Sequence, residues 1–230
     1  METLLRESLF FGVMISFLMY ELGTLLKKKF KWAIFNPLLI AIAAIILLLV
    51  VFDIDYQTYE NGAKYLSYFL TPATVCLAVP LYEQTELLRK HLTAILAGIL
   101  AGALTSAACV LVMSILFHLG HQEYVTMLPK SITTAIGMGI SEELGGIVTI
   151  TIAVIVITGV FGNMIAEGVC RLFHIEEPIA KGIAIGSSSH AMGTAKAMEM
   201  GEIEGAMSSL SIAVSGVITV IIAPVFANFL

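Results

Sequence analysis

Long apolar runs alternate along this chain with short polar intervals, and the runs are of membrane length. Residues 4–26 hold only isolated polar positions before the basic stretch 27–31. Residues 32–52 carry no charge after Lys31, and about 20 such residues span a hydrocarbon core of roughly 30 Å. Residues 91–119, 146–169 and 205–230 complete five predicted spans. The runs between them are interrupted. Residues 66–88, "LSYFLTPATVCLAVPLYEQTELL", contain Pro72 and Pro80; residues 129–146, "PKSITTAIGMGISEELGG", carry four glycines; residues 182–200 contain "GSSSHAMG". Proline removes a helical hydrogen bond and glycine tolerates unwound backbone. Lipid cannot satisfy the freed groups, so such backbone must be covered by protein or line a watery cavity.

An internal repeat organises these segments. A shift of 116 residues brings Glu83 onto Glu199 and Glu86 onto Glu202, residues 32–52 onto 148–168, and the span that begins at residue 93 onto the one that begins at residue 209. Each half then reads span, broken segment, span. The fold expected is all-α, a polytopic transmembrane helical protein with two inverted structural repeats and broken or re-entrant helices. Repeat one covers about 32–118 and repeat two about 147–230; residues 1–31 and 119–146 are additional spanning or re-entrant segments. Basic residues orient the chain by the positive-inside rule. Residues 27–31, Arg89, Lys90, Arg171 and Lys181 fall in the cytoplasm, and residues 53–60 and 201–204 outside. A rival topology, with 66–88 re-entrant, inverts the halves too.

Composition fixes the class: 58% of the 230 residues are hydrophobic and 13% charged, against about 25% charged in soluble domains. The net charge of -5 offers nothing to a polyanion, so no nucleic-acid partner is expected. Cys76, Cys109 and Cys170 sit in apolar surroundings and read as buried packing thiols. No CxxC, HExxH or P-loop pattern is present, and "SSSH" lacks an acid and an oxyanion turn. No enzyme, metal or cofactor is expected.

The interrupted segments hold the candidate chemistry. A small carboxylate needs charge-assisted donors, and a broken helix offers free N–H groups with a partial positive charge. Ser131, Thr133 and Thr134 supply hydroxyls in one broken segment, Ser187, Ser188, Ser189 and Thr194 in another, and Thr71 and Thr74 in the third. Each hydroxyl could instead bond a carbonyl of its own kinked helix. His190 and Lys196 are ionisable groups within a broken membrane segment, where a charge costs on the order of 3 kcal/mol. Lys196 is open to a substrate carboxylate or to Glu199, and His190 to proton coupling or to a structural hydrogen bond. Glu83, Glu142, Glu143 and Glu199 suit proton coupling or gating better than anion binding, unless they are solvated loop groups. Gly98 and Gly102 form a GxxxG packing face. Asn36 with Pro37 opens a span as a cap or a lining residue.

Three stretches carry a resemblance that covers essentially the whole chain: "TPATVCLAVPLYEQ", "PKSITTAIGMGISEELGGI" followed by "VITGVFG", and "GSSSHAMGTAKAMEM". They are similar to the LrgB/CidB family of membrane proteins. In the family pattern Pro follows "KSITT", where this chain has Ala135. The resemblance implies an antiholin-like or holin-like protein that modulates murein hydrolase activity and autolysis beside a smaller LrgA/CidA-like membrane protein. Similar proteins also include carriers of small monocarboxylates such as pyruvate, and the plastid glycolate/glycerate carrier resembles an LrgA-like and LrgB-like fusion. The expected role is therefore a monocarboxylate carrier or carrier subunit in a bacterial-type inner membrane, with a homodimer also possible. "GSSSHAMGTAK" and "KSITT" would contribute its binding site. Gly98 and Gly102 offer an exposed small-residue face for the smaller subunit.

Overall fold

The structure, a computed structural model, describes residues 10–30 and 35–230, and the described chain is helical throughout. It divides into two compact units, Met1–Cys76 and Leu77–Leu230, with the boundary inside the stretch assigned to repeat one. Four helical runs among the described residues are long and apolar enough to cross a membrane: Tyr56–Glu83, Thr85–Leu116, Val148–Leu172 and Glu202–Ala227. The protein is thus a multi-pass helical membrane protein.

The first unit contains α1 (Phe11–Phe30), α2 (Pro37–Val51), α3 (Tyr56–Ala63), a 3-10 stretch (Lys64–Phe69) and α4 (Leu70–Cys76). Two expected spans differ here. Residues 4–26 become α1, which runs on through Lys27, Lys28 and Lys29 and is not among the four apolar runs; residues 4–9 lie outside the described residues. Residues 32–52 become the 15-residue α2, about 22 Å long at 1.5 Å per residue. That helix starts late because Asn36 Oδ1 caps it, accepting from the backbone N–H groups of Leu38 (2.9 Å) and Leu39 (3.3 Å), with Pro37 as its first residue. Residues 31–34 lie outside the described residues. α1 packs closely on α2 and α3 because Gly12 and Gly23 lack side chains: a Cβ on Gly12 would lie 2.2 Å from the Tyr59 carbonyl oxygen, and one on Gly23 2.7 Å from that of Pro37. Ser16 and the Tyr59 hydroxyl are 2.9 Å apart across the same seam.

The second unit contains α5 (Ala78–Glu83), α6 (Thr85–Leu116), α7 (His121–Met127), α8 (Thr134–Glu143), α9 (Val148–Leu172), α10 (Pro178–Met200) and α11 (Glu202–Ala227). Its shape follows from what α10 does. The helix is interrupted at His190, whose φ of 41° and ψ of -140° are far from helical values. There the chain reverses. A Cβ on Gly193 would lie 3.1 Å from the Ile185 carbonyl oxygen, a distance unreachable in a straight helix, where eight residues span about 12 Å. Ile185 and Ala197 pack in one cluster, and Lys181 and Lys196 line one cavity. α10 is therefore a helical hairpin with its tip at residues 187–191. This corrects the expectation that residues 201–204 and Lys181 lie on opposite sides: the site of a Cβ on Gly182 is 2.5 Å from the Glu204 carbonyl oxygen, so both sit at one end.

α7 and α8 form a second, shorter hairpin. Gln122 at its start reaches the Gly145 carbonyl (3.4 Å), while Gly137 packs near Pro129 at its tip. Buried hydroxyls lock its base: Thr151 Oγ1 is 2.7 Å from Ser141 Oγ and 2.9 Å from the Thr126 carbonyl oxygen, and Thr126 Oγ1 accepts from the Ile147 N–H at 2.8 Å. The base of this hairpin adjoins the start of α9; the base of the α10 hairpin adjoins the end of α9. The apolar packing splits accordingly. Ala107, Tyr124, Leu128, Ile140 and Ala223 cluster at one end, and Ile95, Ile99, Ile183, Ala206 and Met207 at the other. The tips lie between them.

Two further expectations change. Gly98 and Gly102 face Ile183 and Ser187 of α10, with Cβ positions 3.3 Å and 2.7 Å from those side chains, so this face packs within the unit rather than lying open to a partner. Of the three thiols only Cys170 is buried; Cys76 and Cys109 are exposed, which suits apolar thiols on outward faces of membrane helices.

Candidate functional site

Where the hairpin tips meet the middles of α6 and α11, the interior turns polar. A cavity of about 10 Å³, room for roughly one water molecule, is lined by Ser106, Ser131, Ser187, Ser215 and Thr219 among alanine, leucine and isoleucine side chains. The tip of the α7–α8 hairpin, residues 128–133, supplies Ser131 and the adjoining Lys130. The Lys130 ammonium donates to Ser131 Oγ at 2.9 Å and to Ser106 Oγ at 3.3 Å, and those two oxygens are 2.9 Å apart. Among the described residues no carboxylate lies within ion-pair distance of Lys130. Lys130 also lines a larger groove, about 350 Å³, between α9 and the first arm of α10, together with Ser188 and Ser189.

The direction of the hydroxyl bonds decides what this lining offers a ligand. Ser187 donates to the Ile183 carbonyl at 2.7 Å, Ser188 to that of Ala184 at 2.7 Å, Ser215 to that of Ser211, and Thr219 to that of Ser215 at 2.7 Å. A hydroxyl has one hydrogen and two lone pairs. With the hydrogens engaged by their own helices, these side chains present oxygen lone pairs. The donors left to an anion are the Lys130 ammonium and one hydroxyl hydrogen of the Ser106–Ser131 pair. Sequence reasoning singled out "KSITT" for its hydroxyls and passed over this lysine. The available signal was that Lys130 is the one lysine or arginine between Lys90 and Arg171, in a segment that must be covered by protein.

The expected site residues divide by location. Ser131 and Ser189 are buried near Lys130, and Ser189 Oγ is 3.1 Å from Ser188 Oγ. Thr133 and Thr134 flank the start of α8 beside the same tip, half-buried, and Thr133 makes no side-chain cap bond there. His190 is buried at the reversal and its Nε2–H donates to the Ile155 carbonyl at 3.0 Å; Gly159 makes room for the ring. Thr194 is buried behind the tip, bonding the His190 carbonyl at 3.0 Å and Ser208 Oγ at 2.7 Å, and so closes the break against α11. Thr71 and Thr74 belong to the first unit, where Thr71 is exposed. Glu83 ends α5, and Glu142 and Glu143 end α8; all three are exposed.

Lys196 stands apart from Lys130, toward the base of the α10 hairpin. It lies 3.3 Å from Glu167 of α9 and 3.3 Å from Glu199, and Glu167 also pairs with Arg171. These groups line a vestibule of about 500 Å³ together with Cys170, His174, Lys181 and Glu204. The sequence paired Lys196 with Glu199 at one turn's spacing; the second carboxylate comes from a helix that sequence spacing does not relate to it. Among the described residues no cluster of three or more potential metal ligands occurs.

Known proteins share this chain's pattern over nearly its whole length. The LrgB-like family matches residues 16–229. An antiholin-like protein LrgB from Bacillus mycoides (strain KBAB4) is 38% identical over 222 residues, covering 96% of each chain. Antiholin-like proteins LrgB from Bacillus cereus (strain B4264) and Bacillus anthracis (strain CDC 684 / NRRL 3495) match to the same extent. No solved structure matches significantly. With the match spanning both hairpins and all the long helices of the second unit, the chain belongs to the LrgB-like family.

Proposed function

We propose that this chain is a carrier, or the larger subunit of a carrier, for small monocarboxylates of the pyruvate, glycolate or lactate class in a bacterial-type plasma membrane. One observation carries the reading: Lys130, a cation without a carboxylate partner among the described residues, donates to Ser131 and Ser106, two serines that line the small cavity where the hairpin tips meet. A charge in such a place is costly unless function holds it there. A small carboxylate is the complement that this cation lacks. The hairpins, whose bases lie at opposite ends of α9, act as inverted re-entrant halves that alternately expose the site, as paired broken helices do in carriers. A smaller LrgA/CidA-like membrane protein, or a second copy of the chain, completes the assembly.

Uptake of labelled pyruvate, glycolate and lactate into proteoliposomes, with and without the smaller protein, tests this directly. A hydrogen bond to a charged group contributes about 1.5–3 kcal/mol. Lys130→Met should therefore lower uptake at limiting substrate by about 10–150-fold, at tenfold per 1.4 kcal/mol, with partial recovery in Lys130→Arg. Uptake by Lys130→Met at the wild-type rate removes this lysine from the site.

The relatives' name supports a second reading, an antiholin-like regulator of murein hydrolase activity that acts through protein contacts or oligomeric pores. Pore currents without saturable flux of any monocarboxylate would favour it. Recovery of the smaller protein on purification from native membranes fits either reading and tests the partnership alone.

A further inference from the structure

The vestibule and the Lys130 groove are neighbouring spaces, and one side chain belongs to the walls of both: Cys170. On the α9 side, Cys170, Ala166, Gly162 and Thr158 follow one another at intervals of four residues along the groove, which places them on one helix face. Opposite them, the first arm of α10 contributes Lys181 to the vestibule and Ala184 and Ser188 to the groove, again on one face. These small positions run from the vestibule toward the tip, flanked in the groove by Ile157, Phe161, Ile165 and Val169, and the groove closes where Gly162 closely approaches Ser189. The vestibule holds about 500 Å³ and the groove about 350 Å³, each ample for a three-carbon acid. Cys170 itself is only 5% exposed. It stands at the junction.

We propose that the two cavities form one access route from the base of the α10 hairpin to Lys130, and that Cys170 is its neck, the residue whose volume sets the longest acid admitted. This rests on the carrier reading for its substrate, although the route itself is read from the cavities. The wall at the neck is a thiol with no hydrogen-bond duty, so passage there is governed by size. The ion pairs of Lys196 with Glu167 and Glu199 stand at the wide mouth.

The test uses the full chain with Cys76→Ser and Cys109→Ser, so that Cys170 is the only thiol. A negatively charged methanethiosulfonate of about the size of pyruvate should label Cys170 from one side of the membrane, and pyruvate should slow the labelling. In proteoliposomes, Cys170→Leu should lower uptake by about tenfold or more, the scale at which a pocket rejects an extra methylene. Cys170→Ala should raise the uptake of 2-oxobutyrate relative to pyruvate. Transport by a chain whose Cys170 cannot be labelled from either side overturns the route and leaves the carrier reading standing. So does a Cys170→Leu protein with unchanged rate and unchanged selectivity. One-sided labelling in a protein without saturable uptake keeps the route and overturns the carrier reading. Neither labelling nor uptake overturns both.

Discussion

Replacing Gly186 by Ala tests the close seam between the first arm of α10 and α11. A Cβ built on Gly186 lies 2.4 Å from the Ser208 carbonyl oxygen, 2.8 Å from Ser208 Cα and 2.8 Å from Ser211 Cβ. Carbon–oxygen contacts settle near 3.3–3.6 Å, so the two elements must separate by about 1 Å. Two of the three obstacles are backbone atoms, which no rotamer change can move aside. Overpacking of this kind costs about 1–3 kcal/mol, offset by up to about 1 kcal/mol for replacing glycine within a helix. At about 2–4 °C per kcal/mol for a chain of 150–250 residues, the midpoint of thermal unfolding in detergent should fall by several degrees. Gly168→Ala is the control, because a Cβ there meets nothing within 4 Å; its midpoint should stay level or rise. Equal midpoints for Gly186→Ala and the wild type would refute the seam, and with it the packing of the first arm of α10 on α11.

Further outcomes follow from the same contacts. Thr194→Val removes two buried bonds, to the His190 carbonyl and to Ser208 Oγ, and should destabilise the protein by about 1–3 kcal/mol; Thr194→Ser should restore most of that in the same thermal assay. Lys196→Met breaks pairs whose carboxylate side chains are 44% and 55% exposed, so its stability cost should stay below about 1 kcal/mol. Its uptake should fall far less than that of Lys130→Met; an equal loss would place the substrate carboxylate in the vestibule.

The long apolar helices and the places where they break were readable in the sequence, because hydrophobic run length and Pro/Gly punctuation are local properties. The manner of the α10 break was not. Gly186 and Gly193 bracket it, yet the left-handed backbone falls on His190, a conformation that costs a non-glycine residue of order 1–3 kcal/mol. The Ile155 carbonyl and the space over Gly159 hold that residue in place. The glycines do another job, allowing close approach: Gly186 to α11, and Gly193 to the opposite arm. A helix that doubles back has the same residue pattern as one that continues, which is why the sequence puts Lys181 and residues 201–204 on opposite sides although they share one end. Lys130 was missed because the feature that marks it, a shell of serines from α6 and its own loop without a carboxylate, is a long-range arrangement. Lys196 drew attention for its position in the run and proved to be held by Glu167, a residue 29 positions away.

The engaged hydroxyl hydrogens around Lys130 also bear on molecular discrimination. A 2-oxo acid brings its carboxylate to the ammonium; its ketone oxygen has only the one hydroxyl hydrogen left by the Ser106–Ser131 pair to accept, and gains nothing from the remaining lone pairs. A 2-hydroxy acid of the same length adds an O–H that can donate to one of those oxygens, such as Ser187 Oγ or Ser215 Oγ. One neutral hydrogen bond contributes about 0.5–1.5 kcal/mol, a preference of roughly 2- to 12-fold at tenfold per 1.4 kcal/mol. Lactate should therefore displace labelled glycolate from the carrier at lower concentration than pyruvate does. The reverse order would mean that the serines turn their hydrogens inward once an anion arrives.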